Sequence, residues 1–240
     1  MREKLALNYI TQVKANLKNP ANAVIFEPNY ETLYEKKPKA IRPIGLRLKP
    51  AIDQACLNLD TVREKKVPEI PPWTIKKPNV LFQLSSDKKS STNSLQFQSK
   101  FLELKSQYPN HTAIYTDGSK DDVKVGCASV SHLHTSKVRL PDNSSIFSAE
   151  VQAIDLALRF ISTHNGKKYI IFSDSLSVLQ SLNNRNTSNP LIQQLLLKHH
   201  RLSSFKNIVF CWLPSHVGIQ GNEEADRAAK SSLNLNAAKF

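Results

Sequence analysis

Two uninterrupted apolar runs in the second half of the chain restrict its fold more than any other feature. They are KYIIFSD at 168–174 and NIVFCWLP at 207–214. Continuous apolar runs of this length are typical of strands buried on both faces, as in parallel sheets covered by helices. Both runs are therefore predicted to be central strands of an α/β sheet.

Periodic segments around these two runs predict the other elements of the domain. Three further strands, joined by tight turns, are predicted at 111–117, 123–130 and 132–140. Helical spacing of apolar residues predicts helices within 147–161, 175–184, 190–202 and 221–233, the last with Asn222 as N-cap. The order βββαβααβα predicts an α/β fold, a mixed five-stranded sheet with helices on both faces.

The first 108 residues have a different character. Nine of the 13 prolines lie before residue 80, and proline disfavours helix at and before its own position. One helix is predicted over about residues 2–18, then irregular, extended chain with a strand or short helix within 41–60, and a polar linker at about 85–95. The chain is thus predicted to divide into a Pro-rich, basic, partly irregular segment, 1–108, and a domain, 109–234.

The charge of the chain favours a polyanionic partner, either nucleic acid or an anionic membrane surface. The formal net charge is +13 and the isoelectric point is near 9.7, and residues 1–110 hold 19 basic against 10 acidic side chains. No apolar run is long enough to span a bilayer, and the N-terminus lacks the apolar core of a signal peptide. We therefore expect an intracellular protein, nuclear or cytoplasmic and not secreted, with Cys56, Cys127 and Cys211 reduced in the core.

Four acids stand at positions where carboxylates are costly. Asp117 and Asp174 are each predicted to end a strand, and Glu150 and Asp226 lie beside the apolar stripes of their helices. Taken alone, Asp117 is explained as an ordinary turn residue, and Asp174 is explained as the N-cap of the following helix. Together, the four acids predict a cluster of carboxylates, and bound cations would relieve the repulsion between them. Oxygen ligands suit Mg²⁺ or Mn²⁺, and two such ions can cleave a phosphodiester.

The remaining acids have ordinary explanations. Glu223 and Glu224 are first-turn residues favoured by the helix dipole. Solvated loop or surface positions are predicted for Asp121, Asp122, Asp142 and Asp155.

The blocks IYTDGSK, SAEVQAI, FSDSLSVLQSL and LPSHVGIQGNEEADRAAK resemble, in order, the four signature blocks of type 1 ribonuclease H. The likeness is greatest to the C-terminal ribonuclease H domain of non-LTR retrotransposon polyproteins of the Jockey and I type. The resemblance implies a ribonuclease H-like fold in which Asp117, Glu150, Asp174 and Asp226 hold two Mg²⁺ ions, with Mn²⁺ as a substitute. It further implies that His216 assists product release or proton handling.

The first block also carries the residues predicted to contact nucleic acid, Gly118, Ser119 and Lys120. Gly118 is expected to let the backbone approach the ligand, and Ser119 to bond a phosphate or a 2′-hydroxyl. An A-form-like hybrid is read through its wide minor groove and its 2′-hydroxyls, so binding is expected not to depend on sequence.

The resemblance implies a Mg²⁺-dependent endonuclease that cuts the RNA strand of RNA/DNA hybrids, as a monomer without membrane or small-molecule cofactor. Three alternatives stay open: a transposon-derived fragment that binds without cleaving, a structural connection piece, and a DNA nuclease of the same superfamily. No YADD-type polymerase block is present, so a detached C-terminal piece is expected.

Residues 1–110 are expected to add affinity and not catalysis, so that a chain of residues 109–240 keeps cleavage. Three lysine clusters are the expected contributors, unless they are ordinary solvated surface: positions 36, 37 and 39, positions 65 and 66, and positions 76 and 77.

Overall fold

The computed structural model describes residues 2–26, 34–37, 40–42, 44–62, 70–86 and 92–237. Contacts divide the chain into two compact units, Met1–Glu69 and Ile70–Phe240. Outside the described residues lie three of the lysines predicted to add affinity, at positions 39, 65 and 66. Part of the predicted linker, 87–91, also lies outside them.

Among the described residues of the first unit lie the helices α1 at Arg2–Lys14, α2 at Ala21–Phe26 and α3 at Ile44–Gln54. The single helix predicted over 2–18 is therefore too long, and helices α2 and α3 follow it. Asn16 explains the early stop, because its side chain accepts from the Lys18 backbone at 3.2 Å and so offers the chain a turn instead of a helix. Ile10 and Val13 of α1 are fully buried.

The second unit is built on a six-stranded sheet in the order β1-β6-β5-β2-β3-β4. The strands are β1 Asn79–Leu81, β2 Thr112–Asp121, β3 Lys124–Ser131, β4 Thr135–Leu140, β5 Lys168–Ser173 and β6 Asn207–Trp212. β1, β6, β5 and β2 run parallel, and β3 and β4 continue the sheet antiparallel. The predicted mixed α/β fold is confirmed, but the predicted five strands are six, because β1 pairs with β6.

Helices cover both faces of this sheet. They are α4 Ser94–Ser106, α5 Ile146–Thr163, α6 Leu176–Asn183, α7 Pro190–Leu202 and α8 Gln220–Ser232. The central strand β5 serves both cores by alternation. Tyr169 and Ile171 join the core under α5, α6 and α7, whereas Ile170 and Phe172 join the core under α4 and α8. This is the doubly covered strand that the apolar run predicts.

The sequence does not predict helix α4, whose residues fall in the predicted linker and in predicted irregular chain. Its start is a capping box, in which the Asn93 side chain accepts from the Gln96 backbone at 2.8 Å and the Gln96 side chain accepts from the Asn93 backbone at 3.4 Å. Its buried face consists of Phe97, Phe101 and Leu104.

Within the part of the chain described here, no helix has both the length and the apolar character needed to cross a bilayer. Cys127 and Cys211 are buried free thiols, as expected, whereas Cys56 is exposed.

Candidate active site

Asp117 lies inside strand β2 and not at its end, which corrects the prediction. β2 continues to Asp121 because it pairs with β3, while its parallel partner β5 stops at Ser173. Thr116 is the register partner of Ser173, so Asp117 lies next to Asp174 at the point where β5 ends. Two neighbouring strands therefore present one carboxyl group each at the same level of the sheet.

Asp174 does not cap the helix that follows it. The N-cap of α6 is Ser175, and that residue makes no side-chain capping bond. The backbone carbonyl of Asp174 accepts from Trp212 Nε1 at 3.0 Å, which fixes the backbone next to the carboxyl group. The helix-cap reading of Asp174 is therefore wrong, and its half-buried carboxyl group faces Asp117 and Glu150.

Glu150 reaches this pair from helix α5. The helix can lie this close to β2 because residue 118 is glycine: a Cβ at Gly118 would lie 2.9 Å from the backbone nitrogen of Glu150 and 3.1 Å from its carboxyl carbon. Gly118 thus serves the approach of a helix, and its predicted contact with nucleic acid stays a prediction. Ligand oxygens of Asp117, Glu150 and Asp174 lie within 4.8 Å of one another. We call these three residues the acid triad.

Burial and repulsion act together on the acid triad. Asp117 is 6% exposed and Glu150 is 8% exposed. Burial, followed by the nearby Asp174 and Asp226, raises the pKa of Asp117 to about 7. Burial, followed by Asp174 and Asp117, raises the pKa of Glu150 well above its ordinary value. Burial also raises the pKa of Asp174, although a hydrogen bond from Asn222 opposes the rise.

Asp226 belongs to a second group. Its carboxylate lies with His216 and Glu223, whose ligand atoms are within 4.8 Å of one another, and it accepts from Lys230 Nζ at 2.8 Å. The charge of Asp226 still raises the pKa of Asp117 and Asp174. Of the four predicted ligands, three therefore share one site, and the fourth lies near enough to act on them.

Helix α8 carries Asp226 against the sheet through a second glycine. A Cβ at Gly221 would lie 2.3 Å from the ring of Tyr115, and that ring stacks on Phe172 with centroids 5.1 Å apart. The helix therefore lies directly on an aromatic pair of the buried sheet. Only a glycine at this position permits the observed approach of α8 to the Tyr115 ring.

His216 lies in the loop between β6 and α8 and is exposed. Its φ of 53° is in the left-handed region, which is uncommon outside glycine. The next residue, Val217, accepts from Gln98 Nε2 at 2.8 Å. Helix α4 therefore holds the loop that carries the predicted mobile histidine.

Asn222 lies at the site and not at the helix start where it is predicted. It was predicted to be the N-cap of the last helix, but that helix begins at Gln220 with Ile219 as N-cap. Asn222 is 2% exposed, and its side chain bonds the carboxyl group of Asp174. A polar residue one turn before the apolar position Ala225 was the signal available in the sequence.

The other predicted residues occupy varied positions. Ser119 is half-buried and Lys120 is exposed at the end of β2, with Lys120 Nζ donating to the Ser144 carbonyl at 3.4 Å. Asp121, Asp122 and Asp142 are exposed, as predicted. Asp155 is wrongly predicted to be solvated, because it is 8% exposed and pairs with Lys198 and, at 2.6 Å, with Arg159.

The acid triad has the properties of a divalent-cation site. Glu150 Oε2 is buried and has no hydrogen-bond partner among the described residues, which is unfavourable for a carboxylate unless a cation joins it. The donors are all oxygens, the ligand type preferred by hard ions such as Mg²⁺ and Mn²⁺. A divalent cation would satisfy the unpartnered oxygen and would offset the burial and the mutual repulsion that together raise the three pKa values.

Comparison with known families agrees with this site. Residues 109–234 match the family model described as RNase H, which is more than half of the 240 residues. The chain therefore belongs to the RNase H family. Membership supports a hydrolase of the nuclease class that binds nucleic acid, with RNA/DNA hybrid as the implied partner and divalent metal ions as the usual cofactor.

Proposed function

We propose that the protein is a divalent-metal-dependent endonuclease that hydrolyses the RNA strand of RNA/DNA hybrids. One observation carries the proposal: three buried or half-buried carboxyl groups with ligand atoms within 4.8 Å of one another lie inside the RNase H region. A cluster of this kind is unfavourable in the absence of cations, and a positively charged chain suits a polyanionic substrate.

The proposed ligands are Asp117, Glu150 and Asp174, with Asp226 serving a second ion. When bound, Mg²⁺ or Mn²⁺ lowers the pKa of water and stabilises the negative charge of the leaving oxygen. Asp226 is available because its partner Lys230 is an exposed side chain, and exposed ion pairs contribute little stability. Asn222 fixes the orientation of Asp174, since its buried amide bonds that carboxyl group.

The residues at the edge of the triad would bind the substrate and move protons. Ser119 and Lys120 follow Asp117 on β2 and are positioned to contact a phosphate or a 2′-hydroxyl of the hybrid. His216 is exposed and within reach of Glu223 and Asp226, so it can exchange a proton with the product strand as it leaves. Recognition of the backbone and the 2′-hydroxyl makes cleavage independent of sequence.

Cleavage of a hybrid with a labelled RNA strand tests this proposal. Wild-type protein is expected to cut the RNA strand in Mg²⁺ or Mn²⁺, to be inactive in EDTA, and to leave single-stranded RNA and duplex DNA intact. Asp174→Asn is expected to lower turnover at least about 100-fold, because a group that stabilises transition-state charge is lost. His216→Ala is expected to reduce turnover less than Asp174→Asn.

A matched control separates the site from the fold. Asp121→Asn removes an exposed acid from the same strand as Asp117 and should leave turnover unchanged. Asp174→Asn should leave the melting temperature in EDTA equal or higher, since it removes one of three repelling charges. Absence of any cleavage by the folded wild-type protein, with retained hybrid binding, would favour a fragment that binds without cutting.

We also infer that the domain comes from a non-LTR retrotransposon, on the likeness of its four sequence blocks. The genomic DNA around the coding sequence is expected to contain reverse transcriptase sequence, intact or decayed. Flanking DNA without any trace of a polymerase would count against this origin.

A further inference from the structure

A pocket of about 540 Å³ lies at the end of the sheet where the parallel strands begin, and the acid triad lies at the opposite end. It is lined by the residues that begin three parallel strands, Asn79 of β1, Lys168 of β5 and Asn207 of β6. The acid triad lies at the other end of β5, so the two sites are separated by the length of that strand, roughly 20 Å.

The lining of this pocket is strongly basic. Five lysines contribute to it: Lys76, Lys77, Lys167, Lys168 and Lys206. Its lining includes no Asp or Glu, and none of the five lysines forms an ion pair with another described residue. We call this site the lysine pocket. Like charges that line one pocket favour the binding of an anion.

Two of these lysines are fixed by the fold. Lys76 Nζ donates to the Ser203 carbonyl at 2.9 Å. Lys206 Nζ donates to the Gly166 carbonyl at 2.7 Å and to the His164 carbonyl, and it lies over the ring of Tyr169. Their positive charges are therefore held in place before any ligand arrives, which lowers the entropic cost of binding an anion.

The charges of the lysine pocket also act on two nearby histidines. Burial, followed by the charge of Lys76, lowers the pKa of His199 to about 4. Burial, followed by the charge of Lys168, lowers the pKa of His111. The Nδ1 atom of His199 is buried and has no hydrogen-bond partner within the described structure, and His199 lines the pocket.

An exposed aromatic ring completes the lining. Phe205 is 61% exposed and lies among the lysines. A basic groove with an exposed aromatic ring is the combination that binds single-stranded nucleic acid, because phosphates contact the lysines while a base stacks on the ring. The bases of a duplex are already stacked on each other, so this feature favours a single strand.

We propose that the lysine pocket binds a single-stranded segment of nucleic acid, with phosphates on Lys77 and Lys168 and a base on Phe205. The inference deepens the proposed nuclease function, on which it rests for the choice of nucleic acid over other polyanions. It assigns a second contact region to the protein, away from the acids that would cut the hybrid.

The test uses the full chain in EDTA and a single-stranded DNA of about 15 nucleotides, close to the upper site size of a single-strand binding domain. Affinity is measured across a potassium chloride series. Each phosphate contact contributes about 0.7 to the slope of log affinity against log salt for single strands. The double variant Lys77→Ala with Lys168→Ala is therefore expected to flatten the slope by about 1.4. The double variant Lys77→Arg with Lys168→Arg is expected to keep the wild-type slope.

Two further variants isolate the aromatic contact. Phe205→Leu is expected to weaken binding roughly tenfold without changing the slope, because it removes a stacking surface but no charge. Phe205→Trp is expected to retain binding. Lys105→Ala with Lys124→Ala removes two exposed charges outside the pocket and should leave the affinity close to that of the wild type.

Several outcomes would overturn the proposal. They are unchanged slopes in the Lys77 and Lys168 variant, an equal loss in the Lys105 and Lys124 control, and displacement of the DNA by low-millimolar inorganic phosphate at constant ionic strength. The turnover number for cleavage of a blunt hybrid, measured at saturating substrate so that affinity does not enter, should be equal in all variants. Lysine-dependent binding without any cleavage would contradict the nuclease function alone, and cleavage without lysine-dependent binding would contradict the lysine pocket alone.

Discussion

Burial acts in opposite directions on acids and on histidines in this protein, and the sign follows from which form is charged. In the acid triad, burial favours the protonated carboxyl group and raises the pKa of Asp117 to about 7. At His199, burial favours the neutral ring and lowers the pKa to about 4. His199 is 3% exposed and packs against Phe210, with ring centroids 5.7 Å apart.

His199 should make the fold sensitive to acid. In the unfolded chain its pKa returns towards 6.5, so between about pH 6.5 and pH 4 the unfolded state binds a proton that the folded state does not. The contribution of neutral, buried His199 to the free energy of unfolding is therefore complete above pH 6.5, and it is lost as the pH falls through 4. It amounts to about 3 kcal/mol at most, since each pKa unit corresponds to about 1.4 kcal/mol.

Urea denaturation at several pH values checks this expectation. His199→Gln should flatten the dependence of unfolding free energy on pH between 4 and 6.5, whatever its effect on stability at pH 7. His132→Gln replaces an exposed histidine and is the control. A pH dependence that survives in His199→Gln would assign the acid sensitivity to other groups.

Single residues were partly predictable from the sequence. The four acids stood out because carboxylates next to apolar runs are costly. The position of Asp117 inside β2 was not predictable, because it depends on β3 continuing beyond the end of β5. Asp155 has a partner of the same kind: Lys198 reaches it only through the packing of α5 on α7, whereas Arg159 lies four residues on in the same helix.

At the scale of elements, helix α4 connects the core to the candidate site. Phe101 of α4 packs edge-on against Phe172, with centroids 5.1 Å apart, while Gln98 one turn earlier holds the His216 loop by its bond to Val217. The helix lies outside residues 109–234, the part of the chain that matches the RNase H family. The position of the His216 loop therefore depends on a segment beyond the family region.

Gln98→Glu is expected to lower kcat for hybrid cleavage several-fold. The side chain keeps its length but can no longer donate to the Val217 carbonyl, and the lost bond is worth about 1 kcal/mol. KM should change little, because Gln98 is not among the residues proposed to bind the hybrid. Steady-state kinetics on the labelled hybrid measure both constants.

Gln194→Glu is the matched control for this variant. It makes the same charge change at an exposed position of α7 and should leave kcat unchanged. Equal kcat values for Gln98→Glu and the wild type would show that the loop keeps its position without this bond.

The elements that the sequence reading missed are those with weak local signals. β1 has three residues, too few to show alternation, and it becomes a strand only by pairing with β6. Helix α4 contains several polar residues and follows a polar stretch, so its buried face was not recognised. The longer elements were predicted because their apolar periodicity is strong enough to be read without knowledge of their partners.

For the molecule as a whole, packing and family likeness give different limits to the catalytic unit. The family match begins at residue 109, whereas the second compact unit begins at Ile70. Residues 70–108 supply β1 and the buried residues Phe97, Phe101 and Leu104 of α4. A chain of residues 109–240 lacks these side chains. The prediction that it keeps cleavage therefore requires the rest of the core to fold without them.

A chain of residues 70–240 is expected to fold and cleave, whereas a chain of residues 109–240 is expected to be strongly destabilised. Removal of a single buried Phe typically costs about 3–5 kcal/mol, and total stabilities are about 5–15 kcal/mol. Thermal unfolding and hybrid cleavage of the two shortened chains measure the difference. Equal melting temperatures would show that α4 packs on the sheet without stabilising it.

The glycines at 118 and 221 have a consequence for inheritance. Each is the point at which a helix bearing an acid touches the sheet, and each leaves no room for a methyl group. A single base change converts a glycine codon into an alanine codon. A gene copy with either change therefore retains every carboxylate of the site and still loses its activity. A survey of the acidic residues alone would count such an inactive copy as active.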